Sequence, residues 1–333
     1  MLSFHSTEFI NLNYPAYFPN PIYNFSANTL SKSKIELGRA LFYDPILSAD
    51  NTISCATCHS PFNAFSHTDH ALSHGINDAI GDRNAPALFN LAWQGLFMWD
   101  GAANHLDVQA LAPISHPKEM GESISHVIYK LQHSTLYPTL FKNAFGDSSI
   151  SGEKTLKAMA QFQLTLTSSN SKYDGVKKGD YHFTKQEQAG YALFKNNCNS
   201  CHAEPLFSTY EFASNGLKID STLNDYGRWQ VTKNKKDSLL FKIPSLRNLS
   251  YSYPYMHDGR FKKLYEVVNH YTNSSLNKTP LISSELANPI TLSPNQKTDL
   301  IAFLLTLNDS AFIYNQENKF PKNILLPNKG YKN

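Results

Sequence analysis

Two short strings carry the chemistry of this chain: Cys55-Ala-Thr-Cys58-His59 and Cys198-Asn-Ser-Cys201-His202, which between them use all four cysteines. A Cys-x-x-Cys-His run is the attachment pattern of c-type haem. Its two thiols add to the vinyl groups at one edge of the macrocycle, and the residue that follows offers an imidazole to the iron at its centre. One copy alone is also what a redox dithiol or half of a zinc site looks like. Two complete copies weigh against both. Zinc would need the cysteine pairs brought together and would leave the histidine after each pair without a role. The pattern predicts two covalently bound haems c, one on Cys55 and Cys58 with His59 as iron ligand, the other on Cys198 and Cys201 with His202.

The elements that position these strings read as helices. Thr184-Lys-Gln-Glu187 is a capping box that opens a helix to about Asn196, leading straight into the second motif. Ser293-Pro294-Asn-Gln296 joins an N-cap, a first-turn proline and a reciprocal glutamine ahead of Leu300, Ile301, Phe303, Leu304 and Leu307. Ser33-Lys-Ile-Glu36 reads as a third box, opening a helix to about Tyr43 before the first motif. Residues 153–167 carry Leu156, Met159, Ala160, Gln163 and Leu164 at helical intervals, and Ser168-Ser-Asn-Ser and Asp174-Gly175 then break the pattern. The expectation is a mostly α chain. An extended arm spans residues 1–30, rich in Asn, Pro, Tyr and Phe. A first cytochrome c-like domain spans 31–170, a second spans 171–333, and each carries one haem.

Of 333 residues, 41% are hydrophobic and 17% charged, with 30 Lys plus Arg against 27 Asp plus Glu, which is globular composition. A net charge of +3 offers no basis for a nucleic-acid surface, which needs concentrated basic residues. Apolar stretches such as residues 301–305 fall far below the ~18 residues of a membrane span. Haem attachment of this kind belongs to exported proteins, so the expected compartment is periplasmic or otherwise extracytoplasmic. The opening Met1-Leu-Ser-Phe-His-Ser-Thr-Glu8 shows no basic stretch followed by an apolar one, so no export signal is legible in it.

Beyond the haem strings, the chain resembles the bacterial di-haem cytochrome c peroxidase and MauG family from about Leu37 to Leu307. The resemblance rests on Gly38-Arg-Ala-Leu-Phe-Tyr-Asp-Pro45, the first haem string, Arg83-Asn-Ala-Pro86, Trp99-Asp-Gly101, residues 113–121, Pro244-Ser-Leu-Arg-Asn248 and Tyr255-Met-His-Asp-Gly-Arg260. It implies an enzyme that reduces hydrogen peroxide at the N-terminal haem. Electrons would come from a small donor protein, a cytochrome c or cupredoxin, through the C-terminal haem. Homodimers are frequent in the family. Trp99, Gln109 and Glu119, spaced ten and ten residues apart, match the family's inter-haem tryptophan and its distal amide and acid. A carboxylate can carry the proton that peroxide cleavage must move from one oxygen to the other, and a neighbouring amide can orient the peroxide. Read without the resemblance, Glu119 is equally a solvated loop acid, Gln109 a surface amide and Trp99 a core residue. The resemblance also implies a Ca²⁺ held by the Asn84 side chain and the carbonyls of Ser252 and Pro254, oxygen donors suited to a hard cation. Asn84 could instead cap a turn.

Two departures from the family pattern bear on the haems. Where the peroxidase branch has a histidine that ligates the first haem at rest, Ile76 stands, so an open first haem is expected; His67, His70 and His74 lie nearby in sequence. Fourteen residues beyond His257, where that branch has a methionine, stands Tyr271, as in the MauG branch. A tyrosine oxygen favours ferric iron and a thioether ferrous iron. Met256 is the competing ligand, and Tyr271 could also be a core aromatic on its helix. Two alternatives follow: a MauG-like oxidase that modifies side chains of a partner protein, and a pure electron-transfer cytochrome.

Overall fold

The computed structural model describes residues 8–68, 70–273 and 281–326. These are mostly helical. The first half holds α1 (Lys32–Tyr43), α2 (Cys55–Cys58), α3 (Leu106–Gln109), α4 (Leu111–Ser115), α5 (Ile124–Gln132), α6 (Tyr137–Phe145) and α7 (Gly152–Thr165). The second holds α8 (Lys172–Lys178), α9 (Lys185–Asn197), α10 (Trp229–Thr232), α11 (Leu264–Tyr271) and α12 (Pro294–Leu305). A two-stranded antiparallel ribbon joins β1 (Phe212–Ala213) to β2 (Phe241–Lys242), with Phe212 opposite Lys242.

Each half is built on one crossed pair of helices, α1 on α7 and α9 on α12. Both crossings use a glycine for close approach. A Cβ on Gly38 would run into the Ala158 carbonyl, and one on Gly190 into the Asp299 carbonyl. Around the first pair, Leu37, Leu41, Leu131, Phe141 and Met159 form a core; around the second, Tyr173, Phe194, Phe207, Phe303 and Leu307 do so. The boxes at Thr184 and Ser293 are both formed, side chain to backbone in each direction.

The first helix starts differently from the expectation. It begins at Lys32, and Ser33 is not its cap: the Ser33 hydroxyl is buried without a partner among the described residues. The start is set from outside the helix. Ser31 is held extended by a bridge to Phe9 of the arm and donates its N–H to Gln161 Oε1 at 3.0 Å. Asp174-Gly175 likewise lies inside α8, where Asp174 closes a capping box with Ser171. The long central helix ends at Thr165, so no helix crosses residue 170.

Asp174 is also the anchor of the second half. Its carboxylate accepts from both Arg247 Nη atoms at 2.8 Å, and neither side chain is exposed at all. Burial pushes its acidity down, but the Arg247 hydrogen bonds and charge outweigh burial and hold its pKa below the usual range. Tyr17 of the arm donates to the same carboxylate at 2.8 Å.

Two segments tie the halves together. In the arm, Phe18 and Leu30 pack with Trp93, Leu106 and Leu164 of the first half and Leu206 of the second. After α12 the chain returns to the first half: Phe312 and Ile313, on α13 (Ser310–Tyr314), pack with Phe42, Phe65, Phe89 and Phe162. Tyr43 donates to the Asn318 carbonyl and Arg39 to the Lys319 carbonyl.

Candidate active site

The two haem strings fold alike. In the first, Ser54 and Thr57 cap α2 reciprocally, and the His59 N–H reaches the Cys55 carbonyl at 2.9 Å. In the second, Cys198 caps α9, and the His202 N–H reaches the Cys198 carbonyl at 2.8 Å. Each imidazole Nδ1 then meets carbonyl oxygens, His59 at Phe65 (2.8 Å), His202 at Pro244 (3.0 Å) and Phe207 (3.3 Å). A carbonyl only accepts, so the proton sits on Nδ1 and the Nε2 lone pair is left for a metal. Burial lowers the pKa of both histidines to about 4, which keeps them neutral, as ligation requires.

The cysteines do not behave as a redox pair. Burial pushes the Cys55 and Cys198 thiols up to about 12, opposite to the lowered values of reactive dithiols. Among the described residues no group of three or more His, Cys, Asp or Glu side chains is placed to hold a metal ion, so the zinc reading has no site.

Beside each string lies a cavity. The one at His202 measures about 260 Å³, and its walls include Trp99, Lys242, Met256 and Tyr271. Tyr271 ends α11, and burial raises its hydroxyl to about 12. The smaller one at Cys55, Cys58 and His59 is also lined by Gln109 and Glu119. Gln109 closes α3 and its amide donates to Met98 Sδ at 3.4 Å. Glu119 lies on a turn whose backbone N–H groups bond back to His116 and Pro113. Burial raises its pKa, partly offset by His116, whose Nδ1 lies 3.8 Å from Oε1.

Ile76 is locked away from this cavity. Its N–H donates to the Glu119 carbonyl at 2.8 Å, and its side chain fills the space beside Gly121. His67, His70 and His74 form a cluster of their own: His67 Nε2 lies 3.2 Å from His70 Nδ1, and the His70 and His74 rings lie 4.3 Å apart. None of the three lines the His59 cavity.

Trp99 stands at the wall of the larger cavity, its indole N–H donating to the Asn84 carbonyl at 2.8 Å. Asn84 in turn donates its backbone N–H to His257 at 2.7 Å, so the first half is laced to the second at this point. Asn84, Ser252 and Pro254 line that same cavity, and the Asn84 amide nitrogen donates to the Ala71 carbonyl.

Three polar groups at the cavity walls fit a large partly anionic cofactor. Lys242 Nζ donates to the Gln94 side chain (2.8 Å) and the Leu96 carbonyl (3.0 Å), and burial, partly offset by the Asp100 charge, lowers its pKa to about 7. A recessed cation between neutral acceptors suits a carboxylate such as a haem propionate. The Tyr210 hydroxyl at the larger cavity and Gln163 Oε1 at the smaller are both buried without a hydrogen-bond partner among the described residues. Sequence reasoning named Gln163 only as a position on a helix and passed over Lys242 and Tyr210, since nothing in their spacing marks them as facing a cavity.

Comparison with known proteins decides the family. A family model for di-haem cytochrome c peroxidase matches residues 32–182, and one for cytochrome c matches 187–308. The methylamine utilization protein MauG of Methylorubrum extorquens AM1 is 37% identical over 305 residues, 88% of this chain and 82% of that protein. The chain belongs to the di-haem cytochrome c peroxidase family. The cytochrome c peroxidase Ccp of Escherichia coli K12 is 35% identical across 86% of this chain, which spans 60% of that longer protein. Among solved structures, a MauG-like protein associated with microbial copper homeostasis superposes with a TM-score of 0.85 at 30% identity, over 94% of this chain and 99% of that one. As a member of this haem oxidoreductase family, the chain holds two haems c, one per attachment string. No helix among the described residues is long and apolar enough to cross a membrane.

Proposed function

We propose that the protein reduces hydrogen peroxide to water in the cavity beside His59, consuming two electrons and two protons per peroxide and yielding two waters. The observation that carries this reading is the shared cavity: one acid, Glu119, and one amide, Gln109, face the Cys55–Cys58–His59 string. The haem bound there supplies the redox centre that breaks the O–O bond. Glu119 takes the proton from one peroxide oxygen and returns it to the other, which then leaves as water. The Gln109 amide orients the peroxide and donates toward developing charge. Ile76, tucked against Gly121, leaves this face free of a histidine, so the enzyme is competent without prior reduction.

The His202 cavity serves electron supply. Tyr271 would supply an oxygen ligand to the haem bound there, and Trp99 would carry electrons between the two cavities. A small periplasmic donor, a cytochrome c or cupredoxin, delivers one electron at a time. Asn84, Ser252 and Pro254 hold Ca²⁺ near Trp99, with water filling its remaining positions. A homodimer is the proposed assembly.

Tyr271 in place of methionine also favours a second reading, a MauG-like oxidase that spends peroxide on side chains of a partner protein. Steady-state peroxide consumption with reduced cytochrome c or cupredoxin tests the choice. Turnover with such donors supports the peroxidase. Inactivity with all of them, together with peroxide-dependent oxidation of a co-encoded protein, supports the oxidase. Silence in both assays, with both irons already six-coordinate, would leave only electron transfer.

A further inference from the structure

The walls of the His202 cavity offer two further side chains with iron-binding atoms, Tyr271 and Met256. Both meet the same neighbour. The Asn215 amide nitrogen donates to Met256 Sδ at 3.3 Å, and Asn215 shares the cavity wall with Tyr271, whose pKa it lowers in partial offset of burial. Asn215 is itself tied down. Its Oδ1 accepts from the Leu217 N–H at 3.3 Å, and its backbone carbonyl accepts from His270 Nε2 at 2.9 Å. His270 precedes Tyr271 on α11, so the amide is keyed to the helix that presents the tyrosine. The flanking Ser214 is fixed through its N–H and carbonyl to Ser283. Met256 sits in a loop at φ +76°, a left-handed backbone that limits where its side chain can reach.

We propose that Asn215 is a positioning residue that selects the ligand: it holds the Met256 thioether aside and braces Tyr271 toward the iron of the His202 haem. The physical asymmetry is that of acceptors. A thioether is a weak acceptor, and an N–H bonded to it occupies a lone pair and fixes its rotamer. A phenol oxygen that takes the same N–H keeps further lone pairs for a metal and is oriented by the contact, as outer partners orient metal ligands generally. The proposal rests on the reading of Tyr271 as ligand given above.

The test uses the intact holoprotein in four forms besides wild type: N215L, N215D, N215L/M256L and Y271F. The readouts are the charge-transfer absorption diagnostic of thioether–iron bonding, the electron paramagnetic resonance signature of the ferric His202 haem and its midpoint potential. Wild type is expected to lack the thioether band, and Y271F to lose the wild-type resonance signature. N215L and N215D, which both remove the N–H, are expected to gain the band and shift the potential upward. N215L/M256L is expected to lose the band again, which shows that the gained ligand is Met256 rather than a product of misfolding. Unchanged spectra and potential in N215L and N215D, with Y271F still altered, would overturn the role of Asn215 alone. A Y271F protein indistinguishable from wild type would overturn the ligand assignment beneath it.

Discussion

The two haem strings share their scaffold, and the cavities beside them share almost nothing else. Both histidines are held in place by a turn of helix, donate Nδ1–H to a backbone carbonyl and are kept neutral by burial. An acid and an amide share the cavity of His59; a phenol and a thioether share that of His202. The first pair can move a proton, and the second can bind iron. In the proposed function, division of labour between the two centres comes from these lining residues, not from the attachment strings.

The sharpest way to break this contrast is Glu119→Gln. It is expected to slow peroxide cleavage by ~10²–10⁴-fold, the span of a lost general acid–base group, while both haems stay attached. Rapid mixing with peroxide, alongside a haem-content assay, checks it. The raised pKa of Glu119 adds a pH signature. Acting first as a base, it must be ionised, so the rate rises with pH along a limb displaced above the usual carboxylate range. That limb disappears in the glutamine variant.

Next in size is Asp174→Asn, which leaves Arg247 as a buried charge without its carboxylate. A loss of about 3–5 kcal/mol is expected, read by denaturant unfolding. Because the native pKa of Asp174 is lowered, its contribution is complete above about 3.9 and fades as the pH falls through the native value. Stability of the variant should be correspondingly less sensitive to acid.

Gly38→Ala and Gly190→Ala probe what the halves have in common. Each places a methyl group against a backbone carbonyl at a helix crossing, and each is expected to cost about 1–3 kcal/mol, as overpacking does. Similar losses in thermal unfolding would support equivalent scaffolds; a loss at one crossing only would show that the other helix pair can shift. The smallest effect belongs to cation removal. Chelation, or Asn84→Ala, is expected to weaken electron transfer between the haems, read by flash-initiated kinetics, with little change in haem content.

Much of this was legible in the sequence because it is local. Cys-x-x-Cys-His is one turn of chain, and the boxes at Thr184 and Ser293 depend on residues three apart. The box expected at Ser33 failed because a distant residue, Gln161, and the arm at Phe9 fix where that helix begins. Asp174-Gly175 reads as a break, yet a buried arginine 73 residues away makes Asp174 a helix anchor. Lys242 and Asn215 were invisible for the same reason. A lysine or an asparagine announces nothing by its spacing, and their surroundings are assembled from segments far apart in the chain.

The return of the C-terminal stretch has a consequence for dissection of the molecule. Phe312 and Ile313 cover Phe65 and Phe89 beside the first haem string, although they follow the whole of the second in the chain. A fragment cut near residue 170 would leave that aromatic patch bare to water and prone to clumping. Limited proteolysis or split-gene expression should accordingly give no stable, separately purifiable cytochrome from the N-terminal portion, unless a peptide spanning residues 309–326 is added back in trans.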